Sequence, residues 1–164
     1  MYEVDDQDQV INVDDMPQSS GGAPLPIVLA DEHYVLLAYY LRADSREFNV
    51  NGDNEPIAIV KFNHCYAHFF GPPNDEALHG HPLSSRGLHP SGVFEIKNSS
   101  WLRKLERMNS VHPAHNKERF MANKHHFIFS FHDSIFECIA QSFVVEVKKG
   151  SMKKMISYMI ELLG

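Results

Sequence analysis

Three histidines with a spacing typical of metal ligands lie in one polar segment, residues 71–90. His79 and His81 are separated by a single residue, and His89 follows in the same segment. In an extended backbone, residues two apart project to the same side, so these two imidazoles could bind one divalent cation. A third ligand, from His89 or a nearby carboxylate, would leave an open coordination position, as in catalytic zinc sites. The spacing is therefore compatible with a metal-dependent hydrolase or lyase.

These histidines also have an ordinary explanation. The chain contains 11 His, so pairs two or three residues apart arise by chance, as His112 and His115 show. An H-x-H pair in a loop has no fixed geometry, and loop histidines commonly make only hydrogen bonds. We therefore expect no cofactor, with a divalent metal such as zinc at His79, His81 and His89 as the alternative.

The same segment carries residue types that are common at binding surfaces. Connections longer than about a dozen residues are uncommon inside compact domains and are usually functional or disordered. A polar loop displayed by a rigid sheet is a frequent recognition element, and arginine and aromatic side chains often anchor interfaces. The alternative is that the loop merely covers a sheet edge or the end of a barrel. The predicted binding residues are Asn74, Asp75, Glu76, Arg86 and Trp101.

Acid–base catalysis by His132, Asp133 and Glu137 is a further possibility. Strand periodicity places Glu137 on the face of Ile135 and Ile139, where it either faces solvent or is a buried carboxylate with a raised pKa. Asp is a preferred turn residue, and antiparallel sheets commonly expose one face to water. We therefore favour a structural role for all three side chains.

Nucleophilic and phosphate-binding motifs are missing from the sequence. There is no G-x-S-x-G elbow and no P-loop, and Cys65 and Cys138 lie in apolar runs without an adjacent base. Both cysteines are predicted to be free thiols in a reducing compartment. Since no secretory signal and no apolar run of about 20 residues is present, the sequence predicts a cytoplasmic protein without a membrane span.

The negative charge of the chain is concentrated at its N-terminus. All charged residues before Leu25 are acidic, and without these six acids the chain has equal numbers of acidic and basic residues. Nothing forms the basic face that nucleic-acid binding requires. With PQSSGGAPLP following the acids, residues 1–26 are predicted to be a disordered tail and linker. The alternative is that Val10, Ile11 and Val13 add an edge strand.

The remaining residues, 27–164, are predicted to form a single α+β domain. Strands are indicated at residues 33–42 and 56–70, with turn chemistry at 51–54, and a switch of polarity within 56–70 indicates a twist, bulge or sheet crossing. Alternating apolar residues in 125–147 indicate a three-stranded meander. Helices are expected near 99–110 and 151–163, where apolar residues recur at helical spacing after a capping serine or asparagine. The predicted fold is a twisted antiparallel sheet of five or six strands, curled toward a barrel, with its face covered by two helices.

The leading functional hypothesis is a non-catalytic intracellular binding module that uses loop 71–90. It rests on the lack of any recognisable nucleophile, cofactor or phosphate signature. Its partner, a protein or a small ligand, and its oligomeric state stay open at this point. The competing hypothesis is the metal-dependent hydrolase or lyase.

Overall fold

The chain folds into two antiparallel sheets in a computed structural model that describes residues 2–42 and 54–163. The first sheet has five strands in the order β1-β6-β7-β8-β5, and the second has four in the order β2-β3-β4-β9. The strands are β1 (Gln9–Asn12), β2 (Ile27–Ala30), β3 (Val35–Tyr40), β4 (Glu55–Asn63), β5 (Ala67–Gly71), β6 (Val93–Lys97), β7 (His125–Ser130), β8 (Ile135–Ala140) and β9 (Ser142–Gly150). The α+β class is confirmed, but the strands form two open sheets and no barrel-like curl joins them in the described residues.

The two sheets pack face to face through an aromatic core. Alternate residues of β7 and β8 point toward alternate residues of β3 and β4, because successive side chains of a strand alternate between its faces. Phe62 of β4 lies 5.6 Å from Phe129 and 5.1 Å from Phe136, measured between ring centroids. This shared core makes the two sheets one packing unit.

Helices cover the outer faces of both sheets. Helix α3 (Met152–Leu162) places Met155 and Met159 on the four-stranded sheet. Helices α1 (Ser100–Asn109) and α2 (Lys117–Met121) cover part of the five-stranded sheet, with Leu102 and Phe120 on Ile139. The two predicted helices are confirmed, and α2 is an additional short one. None of the helices in the described residues has the length and apolar character needed to span a membrane.

The meander predicted for residues 125–147 is wrong at its third strand. Strands β7 and β8 form a hairpin, but β8 then pairs with β5, and β9 pairs with β4 in the other sheet. Gln141 marks the change, since its N–H donates to the carbonyl of Asn63. A second sheet change confirms the crossing suspected within 56–70: β4 ends at Asn63, His64 adopts φ 50°, and β5 begins at Ala67. The predicted turn at 51–54 falls almost entirely outside the described residues.

The N-terminal segment belongs to the fold, so the predicted disordered tail is wrong for the described residues 2–26. Strand β1 pairs antiparallel with β6, as in the alternative of an edge strand. Tyr2 and Asp8 are buried, and the Asp8 carboxylate accepts the backbone N–H of Ser100 at 2.7 Å. Arg103 forms an ion pair with Asp5. These partners hold Asp5 and Asp8 against the domain.

Candidate functional site

The buried carboxylate of Glu137 meets three other buried polar side chains on the outer face of the five-stranded sheet. The Glu137 carboxylate accepts hydrogen bonds from the Tyr2 hydroxyl at 2.9 Å, His81 Nε2 at 2.9 Å and His126 Nε2 at 3.0 Å. All four residues are at most 7% exposed. A carboxylate buried this deeply needs such donors, because transfer of an unpaired charge into a protein interior is very unfavourable.

Second partners orient both imidazoles toward Glu137. His81 Nδ1 accepts the backbone N–H of Leu83 at 3.1 Å, so the ring proton lies on Nε2 and is donated to the carboxylate. His126 Nδ1 lies 2.9 Å from Ser99 Oγ, and this oxygen also accepts the backbone N–H of Leu102. The Ser99 hydroxyl therefore caps helix α1 and positions His126 at the same time.

Strand periodicity explains why Glu137 lies in this position. Ile135, Glu137 and Ile139 share the outer face of β8, where Ile135 packs under loop 71–90 and Ile139 under α1 and α2. Glu137 thus lies between two apolar clusters, opposite Phe69 on β5 and Ile128 on β7. The prediction of its face is confirmed, and the side chain is buried.

Burial and hydrogen bonding act in opposite directions on the pKa of Glu137. Burial raises it, but the hydrogen bonds from His126 and His81, together with the proximity of the two imidazoles, lower the pKa to about 2. The raised pKa predicted for a buried Glu137 is therefore wrong. For Tyr2, burial and the adjacent Glu137 charge raise the pKa of the phenol far above its usual range. Glu137 is a weak base at neutral pH, and Tyr2 keeps its proton.

An apolar cavity of about 280 Å³ opens beside this network. Trp101 forms one wall and stacks on Tyr2 with the ring planes nearly parallel and the centroids 5.5 Å apart. Glu137 and the exposed Lys104 both line the cavity. The lining residues are Tyr2, His68, Phe69, Trp101, Lys104, Leu105, Met108 and Glu137. The cavity therefore combines aromatic walls with one ionised carboxylate.

The structure does not bring the three predicted metal ligands together. His81 is buried on Glu137, His79 is exposed, and the exposed His89 packs against Phe94 with ring centroids 4.8 Å apart. Within residues 2–42 and 54–163, no group of three or more His, Cys, Asp or Glu side chains is arranged to hold a metal ion. The H-x-H spacing fails here because a short 3-10 helix (Leu78–Gly80) ends between the two residues, and the extended backbone begins only at His81.

Most of the predicted binding residues make contacts within the chain. Asn74 accepts the backbone N–H of Ala77, Asp75 binds His132 Nδ1 at 2.6 Å, and Arg86 donates to the Asp8 carbonyl. Glu76 is exposed, and Trp101 lines the cavity. Loop 71–90 itself packs on the sheet through its buried leucines, Leu78, Leu83 and Leu88. Its observed role in the described structure is to cover the sheet and to deliver His81.

The catalytic grouping of His132, Asp133 and Glu137 does not form. His132 is half exposed and bound to Asp75, whose hydrogen bond and charge raise the pKa of the imidazole. Glu137 is buried among other partners. His132 and Asp133 in the turn therefore lie in a different environment from Glu137 in the strand, and the three side chains do not form one site.

Sequence reasoning missed Tyr2 and His126 and assigned His81 to a different role. Tyr2 is 135 residues from Glu137, and the acids around it indicated disorder. A signal for His126 was present: it shares the alternation of Ile128, so it had to point to the same outer face as Glu137 once β7 paired with β8. No family model matches the chain, and the searches of curated proteins and of solved structures find no significant match.

Proposed function

We propose that the protein is a non-catalytic binding module for a small, mostly apolar ring compound that carries a hydrogen-bond donor. Its site is the cavity beside Trp101 and Glu137, so this proposal moves the predicted site from the surface of loop 71–90 to a neighbouring cavity. The loop contributes to this cavity indirectly, through the hydrogen bond between His81 and Glu137. The observation that supports this proposal most directly is that the buried, ionised carboxylate of Glu137 lines a cavity with aromatic walls.

The walls favour a flat apolar ligand. Trp101, Phe69 and Leu105 present ring and methyl surface, and aromatic side chains bind planar groups by stacking and edge contacts. The cavity volume is near the lower end of the range for ligand pockets, about 300–1,000 Å³. A ligand of one or two fused rings fits that size.

The carboxylate favours a donor group on the ligand. Glu137 Oε2 accepts from both Tyr2 and His126, whereas Oε1 accepts only from His81 among the described residues. A carboxylate oxygen has two acceptor positions, so Oε1 retains one. An N–H or ammonium group of the ligand would satisfy it.

The protonation states support binding rather than acid–base catalysis. Hydrogen bonds hold the pKa of Glu137 at about 2, and effective general bases have a pKa near the working pH. No geometry in the described residues favours the metal-dependent alternative. The cytoplasmic location stays a prediction.

Nuclear magnetic resonance of Trp101 tests this proposal directly. The chain contains one Trp, so its indole N–H gives a single isolated signal at the cavity wall. We expect indole to shift this signal in a saturable way, and to bind about five-fold more tightly than benzofuran, which has the same ring size but no N–H donor.

A pair of variants locates the binding in the cavity. Leu105→Phe adds a ring to the cavity wall and should weaken the binding of both compounds, whereas Ile160→Phe, at a residue 57% exposed on α3, should leave it unchanged. If neither compound moves the Trp101 signal, or if Leu105→Phe has no effect, the cavity is not the binding site. Equal affinity for indole and benzofuran would contradict the role of Glu137 as hydrogen-bond acceptor, but it would leave the cavity as the binding site.

A further inference from the structure

Strand β9 is a long, regular sheet edge without a neighbour on one side. It pairs with β4 at every position from Ser142 to Gly150, and no described strand lies on its other side. The other edge strands, β1, β2 and β5, have only four or five residues. Proteins usually protect such edges with charged side chains, proline, bulges or covering elements, because exposed N–H and C=O groups can pair with another strand. Strand β9 carries charges at Glu146, Lys148 and Lys149, so its pairing depends on how these charges are placed in the register. The sequence SFVVEVKKG of β9 contains no proline, and its ladder with β4 is uninterrupted.

Apolar side chains are exposed along this edge. Val144 is 58% exposed and Val147 is 51% exposed. β-branched residues of this kind favour strand pairing, and their burial against a neighbour is favourable. The edge therefore offers both backbone hydrogen-bonding groups and apolar surface to another strand.

The charges of β9 are complementary to themselves in one antiparallel register. Two identical antiparallel strands related by a two-fold axis through the sheet must have one residue opposite its own copy. An axis at Glu146 would place like charges opposite each other, and an axis at Val145 would pair no charges. An axis at Val147 places Glu146 opposite Lys148 of the partner subunit, and Lys148 opposite the partner subunit's Glu146. Within one chain Lys148 Nζ lies 3.4 Å from the Glu146 carboxylate. The facing pairs would bring the two ion pairs of the dimer together, and opposite charges in directly facing positions stabilise a strand pair.

We propose that β9 is a homodimer interface, in which a second copy of this chain pairs antiparallel through its own β9 with Val147 opposite the partner subunit's Val147. The two four-stranded sheets then form one continuous sheet of eight strands. This interface is independent of the cavity and of any ligand bound there.

Charge reversal on the full-length chain tests both the interface and its register. In Glu146→Lys, each facing pair becomes two lysines, and in Lys148→Glu each becomes two glutamates. Both single variants should dimerise about ten-fold or more weakly than the wild type, measured by sedimentation velocity over a concentration series. The double variant E146K/K148E restores opposite charges and should regain the wild-type affinity.

Mixing the two single variants gives a sharper result. The lysines at positions 146 and 148 of the Glu146→Lys chain would face the glutamates at positions 148 and 146 of the Lys148→Glu chain, so each of these facing pairs is of opposite charge. An equimolar mixture should therefore form a heterodimer although each variant alone is mostly monomeric. Lys153→Glu makes the same charge change on α3 and should leave the dimer unchanged. Circular dichroism checks that every variant is folded.

Three outcomes overturn the proposal. The wild type could be monomeric at all concentrations, or both single variants could dimerise as tightly as the wild type. Alternatively, Lys153→Glu could weaken the dimer as much as the substitutions in β9. Failure of the double variant to regain affinity, together with no heterodimer in the mixture, overturns the register centred on Val147.

Discussion

At the scale of single residues, Glu137 shows how hydrogen bonds can outweigh the cost of burial. Its carboxylate is 1% exposed, and yet its pKa is about 2, because Tyr2, His81 and His126 all donate to it. Two of the donors, Tyr2 and His81, are 135 and 56 residues from Glu137 in the sequence, so the ionised carboxylate connects the N-terminal segment and loop 71–90 to the β7–β8 hairpin that carries His126. Hydrogen bonds to a charged group are about twice as strong as those between neutral groups.

We predict that Glu137→Gln lowers the free energy of unfolding by about 2–3 kcal/mol at neutral pH, because an amide cannot accept all three donors. The folded-state pKa of about 2 lies below the ordinary value of 4.5, so this contribution is complete above pH 4.5 and is lost as the pH falls from 4.5 through 2. Urea unfolding at a series of pH values should therefore show the difference between wild type and variant shrinking over that window.

Glu161→Gln, at an exposed position of α3, serves as the control and should follow the wild type at every pH. A difference between Glu137→Gln and wild type that stays constant down to pH 2 would show that the carboxylate is not held ionised by its donors.

At the scale of elements, the N-terminal segment and helix α1 stabilise one another. Asp8 accepts the backbone N–H and the hydroxyl of Ser100 and also lies 3.5 Å from Arg103, so one buried carboxylate caps the first turn of the helix. Negative charge at a helix N-terminus is favourable, since the unpaired N–H groups and the positive end of the helix dipole both lie there. The same helix carries Trp101, so this contact also positions the cavity wall.

We predict that Asp8→Ala lowers the free energy of unfolding by about 1–3 kcal/mol, because the Ser100 N–H loses its buried acceptor. The measurement is urea unfolding followed by Trp101 fluorescence. Asp6→Ala, at an exposed position in the same segment, removes the same charge and should have little effect. Equal effects of the two substitutions would mean that overall charge, and not the cap, is responsible.

At the scale of the whole molecule, the two sheets depend on one shared core. Phe62 of the four-stranded sheet contacts Phe129 and Phe136 of the five-stranded sheet, and Phe143 of β9 packs on the same ring. The chain also crosses between the sheets at His64 and at Gln141. Neither sheet can expose its inner face without exposing that of the other, so we expect cooperative unfolding.

We predict that Phe62→Ala lowers the free energy of unfolding by about 3–5 kcal/mol through loss of buried surface and formation of a cavity. Trp101 fluorescence reports on the five-stranded sheet, and far-ultraviolet circular dichroism reports on both, so their transitions should coincide in wild type and variant. Val111→Ala, at a side chain that is 87% exposed, is the control. Separate transitions for the two signals would show that the sheets unfold independently.

Local patterns in the sequence were sufficient to predict several of the elements, although not β1 or α2. Alternation in β7 and β8, helical spacing after Ser99 and Ser151, and the polarity switch before β5 all correspond to observed structure. These patterns are reliable because side-chain periodicity follows directly from backbone geometry. The face of Glu137 was predictable for the same reason.

Strand partners and the polar site were decided only by the tertiary structure. Alternation does not specify which strand is the neighbour, so β9 could be assigned to the meander although it pairs with β4. The composition indicated a disordered tail because it records the number of acidic residues and not their contacts. In the structure Ser100 binds Asp8 and Arg103 binds Asp5. His79 and His81 suggested a metal site by spacing, whereas the fold buries His81 on Glu137 and leaves His79 exposed. The site of residues 2, 81, 126 and 137 forms because the N-terminal segment and loop 71–90 pack on the β7–β8 hairpin. Local alternation places His126 and Glu137 on one face of that hairpin, but it does not specify the two long-range contacts.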